Sequence, residues 1–314
     1  MFDQKFYSHN ETTAEFNELV MRPADSLNLK LEKERNLMPK TLLSTGVKIC
    51  YETFGSSTDP TLLLIHGLGS QLLLWEEGFC NKLAEEGLHV IRYDQRDSGL
   101  SSEMQKEYKL LDMASDAAEL LEHLAVEKAH IVGMSLGGMV AQIFAAEFPE
   151  KISSLTSMAS NTGKRGFGIP KGKALDALLA PAPIDPQERA LKDLSDRRIW
   201  ASTEWHDDEY CLKIFERYAE RTNKSNEAKD RQMRAMNLSG NREETLMKIK
   251  APTLVLHGSA DTLVDPSGGQ RTAEVIPAAK LVMIEGWGHD LPPGSWPKIT
   301  NEIIKHVKNA ENIS

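Results

Sequence analysis

Between residues 60 and 150 the sequence switches repeatedly between two periodicities, and this switching restricts the fold more than any other feature. Leu62-Leu63-Leu64-Ile65 is a continuous apolar run ending at His66-Gly67, which suits a strand covered on both faces. Leu72, Trp75, Phe79 and Leu83 then recur at helical spacing, which predicts a helix from Leu72 to Glu86 closed by Gly87. His89-Val90-Ile91-Arg92-Tyr93 reads as the next strand. Leu110, Ala114, Ala117, Leu121 and Leu124 share one helical face, and Ala129-His130-Ile131-Val132 is a further strand. Met139, Val140, Ile143 and Phe144 mark the helix after it, which ends near Phe148-Pro149. Such alternation gives an α/β fold: a mostly parallel central sheet with helices on both faces.

The alternation stops after Ile152 to Ser160 and resumes at Pro252-Thr253-Leu254-Val255-Leu256. A helix around Gly269 to Val275, a strand at Leu281 to Ile284 and a helix from Trp296 to Val307 follow. Residues 161–249 have another texture, with glycines and prolines first and charged helical sequence after, and read as a helical insertion. Residues 41–160 and 250–314 then form one core interrupted in sequence. Residues 1–40 form an N-terminal extension of unknown role, with Thr12-x-x-Glu15 predicting a short helix that ends before Pro23.

Composition is 40% hydrophobic and 26% charged, enough to build a sizeable core. The formal net charge of −9 argues against nucleic acid or an anionic membrane surface as a main partner, since both need clustered basic residues. Cys50, Cys80 and Cys211 are widely spaced and odd in number, giving neither a disulfide framework nor a metal or redox pair. They read as buried thiols of a reducing compartment. With no long apolar run and no apolar signal core at the start, the expected location is the cytoplasm. The pattern is compatible with a monomer or a homo-oligomer.

Gly133-Met134-Ser135-Leu136-Gly137 matches G-x-S-x-G between a predicted strand and a predicted helix. Small neighbours there let the serine adopt a strained turn with its hydroxyl exposed at the sheet end. A serine hydroxyl needs a base, and the base needs a group that holds its tautomer. Asp261 follows the Leu254-Val255-Leu256 strand and His289 follows Val282-Met283-Ile284, so the candidates are Ser135 as nucleophile, His289 as base and Asp261 as orienting acid. Charge developing on a carbonyl oxygen calls for backbone N–H donors, and Leu136 and Leu68 are in place to supply them. His9, His89, His123, His130, His206 and His306 lack metal-ligand spacing, so neither metal nor cofactor is expected.

Over residues 41–310 the chain resembles the α/β-hydrolase superfamily. The resemblance rests on His66-Gly67-Leu68-Gly69, Asp94 to Ser101, Gly133 to Gly138, Ala251 to Val255, Gly258 to Asp261 and Gly288-His289, all in order. Arg96-Asp97 stands where Arg-Gly is commoner. With Gly288-His289-Asp290-Leu291-Pro292, it resembles the subgroup containing aclacinomycin methylesterase and related carboxylesterases. The resemblance implies hydrolysis of a small-molecule ester, with the insertion as a helical cap. Perhydrolases, carbon–carbon bond hydrolases and acyltransferases use the same constellation, and a hydrolase-like ligand receptor is a rival of another class. Dehalogenases and epoxide hydrolases of this fold carry aspartate where Ser135 stands.

Other residues read as supports. His66 and His257 precede glycine at strand ends and suit loop bracing; Asp94 and Arg96 suit the same task in their own loop. Asp265, a rival acid, suits a helix cap, and Asp290 should point away from His289's partner. Phe167, Leu178, Leu179, Trp200, Trp205, Phe215, Met233 and Met236, with Trp75 and Trp287, are mostly expected in cores, a minority lining a pocket.

Overall fold

A computed structural model describes residues 38–221 and 224–312. The helix expected after Thr12 lies outside the described residues. Eight strands form one sheet: β1 (Lys40–Leu42), β2 (Lys48–Phe54), β3 (Thr61–Ile65), β4 (His89–Tyr93), β5 (Ala129–Met134), β6 (Ile152–Met158), β7 (Thr253–Gly258) and β8 (Lys280–Ile284). Their spatial order is β1-β2-β4-β3-β5-β6-β7-β8. β2 pairs antiparallel with β1 and β4, while every pair from β4 to β8 is parallel.

The two-residue period of a strand explains why the central runs are apolar throughout. Leu63, Ile65, Ile91, Tyr93 and Ile131 enter a core that includes residues of α2 (Leu110–His123) and α3 (Leu136–Glu147). Their neighbours Leu62, Leu64, Val90 and Val132 enter a second core with α1 (Glu77–Ala84) and α10 (Trp296–Glu311). Each buried leucine or isoleucine contributes about 1.5–3 kcal/mol, so neither face tolerates a register slip.

The helix expected from Leu72 to Glu86 is shorter. Leu72–Leu74 is a 3-10 turn and α1 begins only at Glu77. The Asp94 carboxylate accepts the Leu72 N–H at 2.8 Å at the start of the 3-10 turn, and the Arg92 guanidinium takes the Trp75 carbonyl, which a continuous helix would offer to the Phe79 N–H.

Between β6 and β7 the described residues form helices and loops only: α4 (Ala174–Leu179), α5 (Pro186–Trp200), α6 (Asp208–Arg221), α7 (Asn226–Ser239) and α8 (Glu243–Leu246). Asp185 caps α5, accepting the N–H groups of Gln187 and Glu188 at 3.0 and 2.9 Å, and Pro186 opens it. α9 (Ser267–Val275) joins β7 to β8. Among the described residues no helix is long and apolar enough to cross a membrane. Cys50, Cys80 and Cys211 are buried free thiols, and burial pushes Cys50 and Cys80 up to about 12.

Parallel strands deliver the loops after β3, β5, β7 and β8 to one edge of the sheet. Those loops carry Leu68, Ser135, Asp261 and His289.

Candidate active site

Ser135 stands between β5 and α3 with φ 58° and ψ −120°, a backbone conformation that costs a non-glycine residue about 1–3 kcal/mol. Close packing imposes it. A Cβ on Gly133 would come within 2.0 Å of the Gly137 carbonyl oxygen, and one on Gly137 within 2.1 Å of the Ile65 carbonyl oxygen. Both glycines of the motif are thus required by backbone approach. The Ser135 N–H donates to the Met158 carbonyl at 2.8 Å, and Ser160 Oγ donates to the Ser135 carbonyl at 2.8 Å. The turn is held through backbone groups, leaving the Ser135 side chain out of its support.

Leu136 is the first residue of α3, so its N–H is among the first-turn donors that have no partner inside the helix. The loop after β3 lies against Ser135: a Cβ on Gly67 would be 3.3 Å from Ser135 Cβ and 3.7 Å from Oγ. Leu68 follows Gly67 and lines the same cavity as Ser135.

Asp261 and His289 meet across the loops after β7 and β8. His289 Nδ1 donates to Asp261 Oδ2 at 2.7 Å, while Asp261 Oδ1 accepts the N–H groups of Leu263 and Val264 at 2.9 and 2.8 Å. Burial would push this carboxyl up, but His289 and His257 beside it hold it down at about 2. His257 Nε2 donates to the Val264 carbonyl at 2.8 Å, closing the loop that carries Asp261. With Nδ1 committed to Asp261, the nitrogen of His289 left for chemistry is Nε2.

Asp265 takes no part in this pair. It binds Lys171 and accepts the Ser267 N–H at 3.1 Å at the start of α9. His66 accepts the Gln95 N–H on Nε2 at 3.2 Å and donates from Nδ1 to the Gly67 carbonyl at 2.9 Å, and burial lowers it to about 4, so it is a neutral loop brace. Asp94 accepts the Leu72 and Leu100 N–H groups at 2.8 and 2.9 Å and pairs with Arg221 at 2.8 Å. Arg96 grips Asp116 with Nε and Nη2 at 2.6 and 2.7 Å.

Asp97, the departure noted in the sequence, has φ 64°, a region aspartate tolerates better than most residues. Its carboxylate receives Arg231 of α7 in a fork at 2.8 and 3.0 Å, with Tyr108 Oη at 2.8 Å. A glycine there would satisfy the backbone but leave Arg231 without this carboxylate.

Sequence reasoning missed a seam between the end of α5 and the loop of His289. The His289 N–H donates to the Trp200 carbonyl at 2.6 Å, and the Thr203 N–H to the Gly286 carbonyl at 2.9 Å. Asp290, fully buried, accepts the Ser202 N–H at 3.0 Å and the Ser202 hydroxyl, whose oxygen accepts the Gly288 N–H at 3.0 Å. Thr262 Oγ1, beside Asp261, donates to the Ile199 carbonyl at 2.8 Å. One five-residue stretch therefore touches both loops of the Asp261–His289 pair.

Ser135 and His289 open on a single cavity of about 320 Å³. Leu178, Trp200, Phe215 and Met236 line it; Trp75 and Trp287 are fully buried in the core beneath, Leu179 is exposed, and Phe167 faces an adjoining cavity. Trp205 packs on the second core with Lys298 over its ring. Part of the wall is charged, supplied mainly by α5, which the sequence reading did not foresee. Among the described residues no cluster of three or more His, Cys, Asp or Glu side chains is arranged to hold a metal.

The model of the alpha/beta hydrolase fold family matches residues 60–292, and the chain belongs to that family. Within it, the chain is similar to the rhodomycin D methylesterase DauP of Streptomyces sp. strain C5, 28% identical over 87% of this chain and 99% of the relative. Lipase 3 of Moraxella sp. strain TA144 is 27% identical over 79% of this chain and 77% of its own. Among solved structures, the esterase RhEst1 from Rhodococcus sp. ECU1013 superposes with a TM-score of 0.74 at 22% identity, covering 86% of this chain and 98% of its own.

Proposed function

We propose that the protein is a serine carboxylesterase that hydrolyses small-molecule esters through an acyl-enzyme. The observation that carries this reading is the meeting of the strained Ser135 turn and the Asp261-bound His289 on one cavity. The similarity to a methylesterase and a lipase supports ester bonds as the target.

In this reading Ser135 Oγ attacks the ester carbonyl carbon while His289 Nε2 takes its proton. The N–H groups of Leu68 and Leu136 hold the oxyanion, each worth about 2.7–4 kcal/mol of transition-state stabilisation. As the tetrahedral intermediate collapses, the C–O bond breaks and His289 returns the proton to the leaving alcohol. Water, deprotonated by the same nitrogen, attacks the acyl-serine and releases the carboxylic acid, restoring Ser135. Residues 161–249 serve as the cap over this centre, residues 41–160 and 250–314 as its core, and residues 1–40 as an extension. No cofactor enters any step. The purified protein should release p-nitrophenol from short-chain p-nitrophenyl esters in the absence of any added cofactor. Failure to do so above the buffer rate, with the protein folded, would reject the reading.

The seam adds a second expectation. Ser202→Ala removes the hydroxyl that joins Asp290 to the N–H of Gly288, the residue before His289. Turnover per folded molecule should fall by up to about 100-fold with KM little changed, because the base is misplaced while the cavity persists. Ser202→Thr, which keeps the hydroxyl, should recover most of it. A lower melting temperature with full turnover per folded molecule would make the seam a scaffold only.

A further inference from the structure

The chain as a whole is acidic, yet the walls of its candidate active-site cavity are not. Arg189, Lys192, Arg197 and Lys229 line that cavity against Asp193 and Asp196, a net of two positive charges in a protein of net charge −9. The pairing within the wall leaves cations over. Lys192 binds Asp196. Arg189 donates to the Lys224 carbonyl at 3.4 Å, Arg197 lies 5.3 Å from the centre of the Phe215 ring, and Lys229 donates to the Leu178 carbonyl at 2.9 Å. Among the described residues none of these three forms a close ion pair with a carboxylate, and Asp193 attracts Arg189 and Lys229 only from longer range.

The adjoining cavity continues the pattern. It shares Met139, Asn161 and Met236 with the first, and its charged lining is Lys164, Arg165 and Arg242. Lys164 is paired with Glu243 at 3.3 Å, but the buried Arg242 guanidinium is met by the Gly240 and Asn161 carbonyls at 3.0 and 2.7 Å, and among the described residues its Nε has no partner. Two neighbouring concave surfaces thus carry an excess of cationic side chains, and a cleft lined mainly by one sign of charge focuses the field on whatever enters.

Lys229 fixes where that field acts. Its stem lies against the loop after β3: a Cβ on Gly69, the neighbour of Leu68, would be 3.4 Å from Lys229 Cδ. The stem therefore passes the loop that carries Leu68, and the ammonium goes on to the Leu178 carbonyl on the wall of the same cavity. Burial, reinforced by Lys192, pulls it below the usual lysine range, a penalty that a bound anion would relieve.

We infer that the substrate carries an anionic group, a carboxylate, besides the ester to be cleaved, and that Lys229 with the α5 cations Arg189 and Arg197 receives it. This rests on the esterase reading and names its substrate class. The apolar part of the cavity, with Leu74, Met134, Leu263 and Val264, then holds the carbon skeleton between the two groups.

Two matched pairs of esters test it, each rate being divided by that of hydroxide-catalysed hydrolysis. p-Nitrophenyl hydrogen adipate against p-nitrophenyl hexanoate places the carboxylate on the acyl side; para-acetoxybenzoate against phenyl acetate places it on the alcohol side. We expect the carboxylate-bearing member of one pair to be favoured at least about tenfold in kcat/KM, the favoured pair telling which side of the ester faces Lys229. The preference should shrink as salt is raised. In Lys229→Met the ratio within that pair should collapse, and in Lys229→Arg it should persist; a ratio measured on one sample does not depend on how much of it is folded. Equal rates within both pairs, or a preference that survives Lys229→Met, overturns the inference and leaves the esterase reading standing. No release from any of the four esters overturns both.

Discussion

Ser135→Ala should reduce ester turnover by about five to six orders of magnitude while leaving the melting temperature where it was. The loss is large because in the proposed mechanism the acyl intermediate forms on Ser135 Oγ, and the residual rate would come from binding and oxyanion stabilisation alone. Stability should hold because the strained turn is supported by the Ser135 N–H and carbonyl, which bond Met158 and Ser160, and by backbone packing at Gly133 and Gly137. Alanine at φ 58° carries the same strain as serine. Steady-state kinetics beside thermal unfolding checks both halves. A variant that keeps more than about a hundredth of the parent rate would remove Ser135 from the mechanism.

Asp261→Asn should lower kcat by about 10⁴-fold, and the surroundings of Asp261 say why. Oδ1 is fixed by the N–H groups of Leu263 and Val264, so an asparagine must place its carbonyl oxygen there and turn its NH₂ toward His289. That NH₂ donates to Nδ1, which forces the imidazole proton onto Nε2 and removes the lone pair that would accept the Ser135 proton. The same substitution bears on stability through pH. The carboxyl is lowered from 3.8 to about 2 in the folded protein, so its contribution is fully present above about pH 4 and is lost as pH falls through about 2. Asp261→Asn should therefore unfold more easily than the parent at neutral pH, with the gap closing in strong acid. Equal melting temperatures at neutral pH would show that the carboxylate adds nothing to the loop.

Much of this arrangement was legible in the sequence, because the central strands are buried on both faces and leave uninterrupted apolar runs such as Leu62 to Ile65. The strands that run up to Gly67, Gly133, Gly258 and Gly286 lead directly into glycine-bearing turns, and those turns carry the candidates. The helix at Leu72 was overextended because periodicity does not show that Arg92 claims the Trp75 carbonyl. Two further features depend on pairs far apart in the chain. Asp97 meets Arg231, and Asp290 meets Ser202, through tertiary placement that a local pattern does not encode. The charged cavity wall was hidden for another reason. Only Ala190 and Leu194 of α5 are buried, so its many charges read as a solvated face, whereas part of that face encloses the cavity.

Intact-mass and peptide mass spectrometry after exposure of the native protein to a fluorophosphonate tests the acyl-enzyme chemistry at its source. The proposed mechanism requires a single phosphonyl adduct per chain, located on Ser135, formed in the folded protein and absent from Ser135→Ala and from denatured samples. An unmodified Ser135 in folded protein that still hydrolyses esters, or an adduct on another residue, would contradict it.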